Sequence, residues 1–128
     1  MTAAKVVDSS ALGAVLFAEA AGDRVAERLR DARLLAPVLL SYELASVCLK
    51  KIRANPEQRS GFLAMFLSWR QMEIELVDIE HGGVLSLAEQ SGLTSYDASY
   101  LWLAQRLNAE LVTLDRRLAR AAAGLSAG

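Results

Sequence analysis

Four short aliphatic runs, separated by segments with helical periodicity, constrain the fold of this chain more than any other feature. The runs are "KVVD", "RLLA", "IELVDI" and "AELVT", and each has the length of a short strand. Consecutive strands separated by helices need crossover connections, which favour a mainly parallel sheet with helices on both faces. The sequence therefore predicts an α/β fold with three layers, α/β/α.

The helices have predictable ends. We expect Ser9 or Ser10 to cap the first helix and Pro37 to open the long third one. Gly82 and Gly83 should precede the fifth helix as a break. The predicted helices cover residues 11–20, 23–32, 38–54, 56–69, 84–91, 96–108 and 115–124.

Length and composition indicate one globular domain, residues 1–128, with 53% apolar and 23% charged residues. The net charge of −1 does not by itself indicate a nucleic-acid binder. Eleven of the fourteen basic residues are arginine, however, and arginine suits phosphate contacts. The single Cys48, which we expect to be buried, fits a reducing cytoplasm. The stretch "ALGAVLFAEA" resembles a signal-peptide core, but Asp8 stands just before it, and no apolar run is long enough to span a membrane.

Two aspartates stand where predicted strands end. Asp8 closes the first run and Asp115 follows the fourth. In parallel sheets, ligands bind beyond the carboxyl ends of the strands. Each residue also has an ordinary explanation, because Asp8 can cap the first helix and Asp115 can be a turn or cap residue.

Two further carboxylates lie within apolar helix faces. Leu40 and Val47 flank Glu43 on one side of the third helix, and Leu101 shares the face of Asp97 on the sixth. The helix dipole alone would also favour an acid at the position of Asp97. Carboxylates that face a core are unfavourable unless they are neutralised or bind cations, and no lysine or arginine shares these faces.

The four acids, Asp8, Glu43, Asp97 and Asp115, therefore suggest a pocket of hard oxygen ligands. Such ligands suit Mg²⁺ or Mn²⁺. One or two of these ions can make a nucleophile of a water molecule and stabilise charge on a phosphodiester.

Three segments carry a family resemblance: "VVDSSAL", "PVLLSYELASV" and "LTSYDASYLWLAQRLNAELVTLDRRL". They resemble the acidic blocks of the PIN-domain nucleases, and the short single-domain form is similar to the VapC-type toxins of bacterial toxin–antitoxin pairs. The resemblance covers nearly the whole chain and places Asp8, Glu43, Asp97 and Asp115 on the family's four metal-site acids. It implies a PIN-like fold with four or five strands and a divalent-metal-dependent endoribonuclease. It also implies an RNA substrate, a homodimer and a cognate antitoxin.

This chain departs from the family pattern in two places. It ends in "AAAGLSAG", which is too rich in small residues to predict a fifth strand. The acid that some relatives carry two positions beyond the fourth is Arg117 here, so we assign four acids and no fifth.

Supporting roles are open for several residues. Ser9 or Ser10 could hold a metal-bound water or a phosphate, with helix capping as the alternative. Thr113 should point to the same side as Asp115 and stand behind the acids, with ordinary strand propensity as the alternative. A phosphate could be clamped by arginines that otherwise form a solvated helix face: Arg116, Arg117 and Arg120. We expect His81 on a surface loop, and the stripe Phe62, Met65, Phe66 and Trp69 in the core.

Other functions compete with this interpretation. A haloacid-dehalogenase-type phosphatase needs a second aspartate two residues after the first, and Ser10 stands there. A catalytically silent interaction module and a nuclease acting on another nucleic acid both remain alternatives.

Overall fold

The computed structural model describes residues 2–127, which form four strands and seven α-helices. The strands are β1 (Ala4–Val7), β2 (Arg33–Pro37), β3 (Glu75–Val77) and β4 (Glu110–Val112). The helices are α1 (Ser9–Leu16), α2 (Gly22–Leu29), α3 (Leu39–Ala54), α4 (Arg59–Leu67), α5 (His81–Ser91), α6 (Ser95–Leu107) and α7 (Arg116–Ala127). Two short 3₁₀ helices, Pro56–Gln58 and Ser68–Met72, flank α4.

The four strands form one sheet in the order β3-β2-β1-β4. Every neighbouring pair is parallel: Val6 pairs with Leu35 of β2 and with Leu111 of β4. On the other side of β2, Leu35 pairs with Glu75 of β3. The predicted α/β fold is thus confirmed, with four strands among the described residues and all carboxyl ends at one edge.

The helices cover both faces of the sheet because the crossovers run in two directions. Right-handed connections from β1 through β2 to β3 put α1 to α4 on one face, and the return to β4 puts α5 and α6 on the other. Helix α6 contacts β1, β2 and β4, whereas α2 contacts β4 and α3 contacts β2. This arrangement brings the start of α6 to the edge where β1 and β4 end.

The core explains why these segments fold as they do. Val6 and Val7 of β1 are fully buried, and so are Leu40 and Leu44, four positions apart on α3. Burial of one such side chain contributes about 1.5–3 kcal/mol. Cys48 lies one further turn along α3 and is also buried, as expected. The stripe that the sequence assigns to the core packs against it, except that Met65 is 37% exposed.

Several predicted boundaries are wrong. Pro37 is the last residue of β2, and α3 starts after it at Leu39. The segment 56–69 is not one helix, because 3₁₀ turns replace α-helix on either side of α4. The first helix ends at Leu16, and Ala18 adopts a left-handed conformation with φ of 52°.

Two capping predictions are also wrong. Neither Ser9 nor Ser10 caps α1; the cap is Asp8, whose side chain accepts from the Ala11 N–H. Gly82 and Gly83 lie inside α5, because the Glu80 carboxylate caps that helix through the N–H of Gly83. A side-chain oxygen that accepts a hydrogen bond from an otherwise unpaired N–H of the first turn stabilises a helix by about 1 kcal/mol.

None of the helices in residues 2–127 combines the length and apolar character that crossing a bilayer would take.

Candidate functional site

Asp8 stands at the carboxyl end of β1 and is only 4% exposed. Its Oδ1 accepts hydrogen bonds from the Ala11 backbone N–H at 3.0 Å and from Ser10 Oγ at 2.7 Å. Its Oδ2 accepts from Thr113 Oγ1 at 2.5 Å. Ser10 Oγ also accepts from the Leu114 N–H at 2.9 Å, which ties the end of β1 to the chain beyond β4. The Asp8 carboxylate is therefore held in one orientation.

Thr113 joins the first and fourth acids. Its hydroxyl donates to Asp8 and accepts from the Asp115 backbone N–H at 3.0 Å. Asp115 in turn caps α7, because its Oδ1 accepts from the Leu118 N–H at 2.9 Å. The two aspartates at the strand ends thus share one bridging hydroxyl, although 105 residues separate Asp8 from Thr113.

Glu43 reaches the same edge from α3. The side chain is partly buried, and its Oε1 accepts a hydrogen bond of 2.5 Å from the hydroxyl of Tyr100 on α6. Ser9 makes a second side-chain hydrogen bond to Glu43. Tyr100 itself is 1% exposed, so its position is fixed by packing. Glu43 is therefore linked both to α6 and to the start of α1.

Asp97 lies in the first turn of α6. Its carboxylate does not cap the helix, because Thr94 Oγ1 accepts from the Asp97 N–H at 3.1 Å and serves as the cap. Asp97 and Tyr100 are three positions apart and therefore project from the same face of α6. The Asp97 carboxylate is left to face the other acids.

Burial and the neighbouring carboxylates raise the pKa values of Asp8 and Glu43. Burial raises the pKa of Asp8, hydrogen bonds from Thr113, Ala11 and Ser10 oppose that rise, and the charge of Asp97 adds to it. Burial likewise raises the pKa of Glu43, and the charges of Asp97 and Asp8 raise it further.

Asp97 is the centre of the electrostatic coupling. Its pKa is raised by burial first and then by the Asp115 carboxylate, whereas the Arg117 guanidinium lowers it. Arg117 also donates a hydrogen bond to the Gly92 carbonyl, so the α5–α6 turn holds it. Burial and then the hydrogen bond to Glu43 raise the pKa of Tyr100, which keeps its phenol neutral.

The four acids have no close cationic partner. Within residues 2–127, every ion pair involves other carboxylates, and no lysine or arginine nitrogen lies within 4.0 Å of Asp8, Glu43, Asp97 or Asp115. Carboxylates that raise one another's pKa are a donor set suited to a hard divalent cation.

The donor chemistry fits Mg²⁺ or Mn²⁺, but the described part of the chain holds no group of three or more His, Cys, Asp or Glu side chains already arranged to bind a metal. The Asp8 oxygens are engaged by Ser10, Thr113 and Ala11, and Asp115 is engaged as a cap.

The supporting residues divide into two groups. Thr113 bonds to Asp8, and hydrogen bonding from Ser9 lowers the pKa of Glu43; their supporting role in the site stays a prediction. His81 is exposed, but it opens α5 and does not lie in a loop. Arg120 contacts the Arg116 carbonyl only weakly, at 3.4 Å, and both side chains are exposed.

Sequence reasoning names Ser10 and Arg117 but not their partners: Ser10 binds Asp8, and Arg117 acts on Asp97. It misses the hydrogen bond from Tyr100 to Glu43. The spacing of Tyr100 from Asp97 was the available signal, because residues three apart share a helix face.

The chain is similar in sequence and in structure to known proteins. The family model described as PIN domain matches residues 5–124. Ribonuclease VapC3 from Pyrobaculum aerophilum is 29% identical over 119 residues, which cover 89% of this chain and 91% of that protein. The crystal structure of PAE2754 from Pyrobaculum aerophilum is similar with a TM-score of 0.78 and 28% identity, covering 94% of this chain and 86% of that one.

Proposed function

The chain belongs to the PIN domain family, and we propose that it is a divalent-metal-dependent endoribonuclease made of a single PIN domain, residues 1–128. Proteins of this family are generally nucleases, and a relative at 29% identity is named a ribonuclease VapC. We propose further that the chain is the toxin of a toxin–antitoxin pair.

One observation carries the proposal: carboxylates from four separate segments lie close enough to act on one another's pKa, and in the described chain no cation lies within ion-pair distance of them. Thr113 donates to the Asp8 carboxylate and accepts from the Asp115 backbone N–H, and the charge of Asp97 raises the pKa of both Glu43 and Asp8. A purely structural cluster would be expected to include a balancing lysine or arginine.

We assign Asp8, Glu43, Asp97 and Asp115 as the residues that would hold one or two Mg²⁺ or Mn²⁺ ions. The ion would supply a nucleophile from water and stabilise the charge of the phosphodiester. Asp8 is already oriented by three hydrogen bonds, so it is the most preorganised of the four. Asp97, whose carboxylate does not cap its helix, has more freedom to turn toward a cation.

The test is cleavage of RNA by the purified chain. We expect Mg²⁺ or Mn²⁺ to support cleavage, EDTA to abolish it, and the products to carry 5′-phosphate and 3′-hydroxyl ends. Sequencing of the 5′ ends after brief expression would reveal the cleaved motif. Cleavage of single-stranded DNA but not RNA would favour a PIN nuclease of another nucleic acid, and no EDTA-sensitive cleavage in folded protein would favour a silent interaction module.

The proposed partners are a cognate antitoxin and a second copy of the chain. Exposed large apolar side chains support this: Val38 is 39% exposed, Leu85 63% and Tyr96 61%. These three line one cavity of about 330 Å³. Exposed apolar clusters of this kind are typical of protein interfaces. An arginine of the antitoxin could pair with the carboxylates and compete with the metal.

Co-expression with the product of the neighbouring gene tests the toxin assignment. We expect expression of the chain alone to slow growth and the neighbouring product to restore it, and size-exclusion chromatography should show a homodimer. Both proteins should act in the cytoplasm, where the single Cys48 stays reduced. Normal growth on expression of a cleavage-competent chain would contradict the toxin role and leave the nuclease role intact.

A further inference from the structure

Tyr100 is a large polar side chain that packing fixes against one of the acids. It is 1% exposed, and its hydroxyl donates to Glu43 Oε1 at 2.5 Å. The other two tyrosines, Tyr42 and Tyr96, are 70% and 61% exposed. A buried phenol needs a hydrogen-bond partner, and here that partner is one of the four carboxylates.

The bond connects α3 and α6, two helices that each carry one of the four acids. Glu43 belongs to α3, whereas Tyr100 and Asp97 share one face of α6. Glu43 is repelled by Asp97 and Asp8, so without a donor its flexible side chain would favour rotamers that point away from them. The phenol supplies a neutral donor where a lysine or arginine would neutralise the charge.

We propose that Tyr100 is a positioning residue that holds the Glu43 carboxylate toward Asp8 and Asp97, ready for a divalent cation. The proposal rests on the proposed metal-dependent function. A carboxylate has about four lone-pair sites, and the phenol occupies one of them, so the bond to Tyr100 persists when a cation binds. Partners that orient a metal-binding carboxylate typically affect metal affinity 10–100-fold.

The experiment measures Mn²⁺ affinity by isothermal titration calorimetry on wild type, Tyr100→Phe and Tyr42→Phe. The phenylalanine at position 100 keeps the buried ring and removes only the hydroxyl. We expect Tyr100→Phe to weaken Mn²⁺ binding about tenfold. Tyr42→Phe, an exposed tyrosine next to Glu43 in sequence, should leave the affinity unchanged.

A double-mutant cycle separates positioning from general loss of structure. If Tyr100 acts through Glu43, Tyr100→Phe should weaken binding much less in a Glu43→Gln background than in the wild type. Equal weakening in both backgrounds would overturn the proposal, because the hydroxyl would then act elsewhere. Unchanged affinity in Tyr100→Phe would also overturn it.

A second measurement uses the wild-type chain and does not depend on the folding of a variant. The phenolic proton of Tyr100 should exchange slowly with solvent in an NMR spectrum, both without metal and with Mg²⁺. Loss of that protection on Mg²⁺ addition would show that Glu43 leaves Tyr100, and would overturn the proposal.

Failure of the positioning role differs from failure of the nuclease role. A wild type that binds Mn²⁺ and cleaves RNA, with Tyr100→Phe equal to it, contradicts only the role of Tyr100. A folded wild type that binds no Mn²⁺ and cleaves no RNA contradicts both proposals.

Discussion

The carboxylates at the two ends of the sheet differ in burial and in charge partners. At the amino end, Glu110 of β4 pairs with Arg28 at 2.6 Å and with Lys5 at 3.5 Å. Glu75 of β3 pairs with Arg33 of β2 at 2.7 Å. The hydrogen bond from Arg28 is the main cause that lowers the pKa of Glu110. Acids at this end are exposed and balanced by cations.

At the carboxyl end of the sheet, the carboxylates have the opposite surroundings. Asp8, Glu43 and Asp97 are at least partly buried, and burial and mutual repulsion raise the pKa of each. The difference shows that, within residues 2–127, acids on the sheet form ion pairs with arginines at the amino end. The carboxyl end, whose four acids have no cation within ion-pair distance, is where we propose the functional site, and exposed ion pairs such as those at the amino end contribute only about 0–1 kcal/mol.

The largest expected contrast between the two ends is in RNA cleavage. Asp97→Asn and Asp8→Asn should reduce cleavage by about 1000-fold, because each removes a charge that holds the cation, whose stabilisation of the transition state is worth several kcal/mol. Asparagine keeps the cap of α1, so Asp8→Asn should still fold. Glu110→Gln at the amino end is the matched control and should cleave as wild type. Comparable loss in Glu110→Gln and Asp97→Asn would remove the distinction.

The next contrast is in thermal stability with metal. Mn²⁺ at about 100 times its Kd should stabilise the wild type by about 2.7 kcal/mol, because it binds the folded chain and relieves the repulsion. Melting curves with and without Mn²⁺ on wild type, Asp97→Asn and Glu110→Gln check this. The Asp97→Asn shift should be much smaller, whereas Glu110→Gln should match wild type. Equal shifts in all three proteins would place the ion outside the acidic end.

A third contrast is the sign of the pH dependence without metal. The folded-state pKa of Asp8 lies above its ordinary 3.8, so the folded chain holds that proton more tightly than the unfolded chain. The resulting stability is full below the ordinary pKa and is lost as the pH rises through the raised value. Glu110 has the opposite sign: its stabilisation is present above the ordinary 4.5 and is lost as the pH falls.

Melting curves in EDTA from pH 3 to pH 8 measure both signs. Relative to wild type, Asp8→Asn should gain stability as the pH rises, whereas Glu110→Gln should lose it. The same sign in both variants would contradict the opposite pKa shifts at the two ends of the sheet.

The smallest expected effect is the loss of one ion pair at the amino end. Arg33→Gln removes the pair with Glu75 and should lower the free energy of unfolding by about 0.5 kcal/mol, since both side chains are exposed. Urea titration at low and high salt checks this, because salt should abolish the difference. A decrease in the free energy of unfolding above about 2 kcal/mol would show that this ion pair contributes more than an exposed surface pair.

The order of elements was predictable from the sequence because hydrophobic periodicity and the crossover rule are local or general constraints. All four strands and all seven helical regions appear where the pattern places them. The errors fell at boundaries decided by tertiary contacts. Pro37 extends β2 because it pairs with Val77 of β3, whose carbonyl accepts from the N–H of the next residue, Val38. Asp8 caps α1 in place of the two serines, and its carboxylate is held by hydrogen bonds from Ser10 and Thr113.

The candidate site was predictable as a set of acids, but not as a set of bonds. The position of each acid follows from local pattern: a strand end for Asp8 and an apolar helix face for Glu43. The partner of each acid comes from a distant segment, as Tyr100 does for Glu43 and Thr113 for Asp8. Pairings between segments depend on how helices pack, which periodicity alone does not specify.

The hydroxyl bridge of Thr113 has a consequence for the chain during its synthesis. Asp8 leaves the ribosome early, but its partner follows 105 residues later and enters the sheet with the last strand. A nascent or truncated chain therefore has no completed acidic end, and contacts of such long range also form late in folding. The ribosome must therefore add at least 105 residues after Asp8 before the bond that completes this end of the sheet can form.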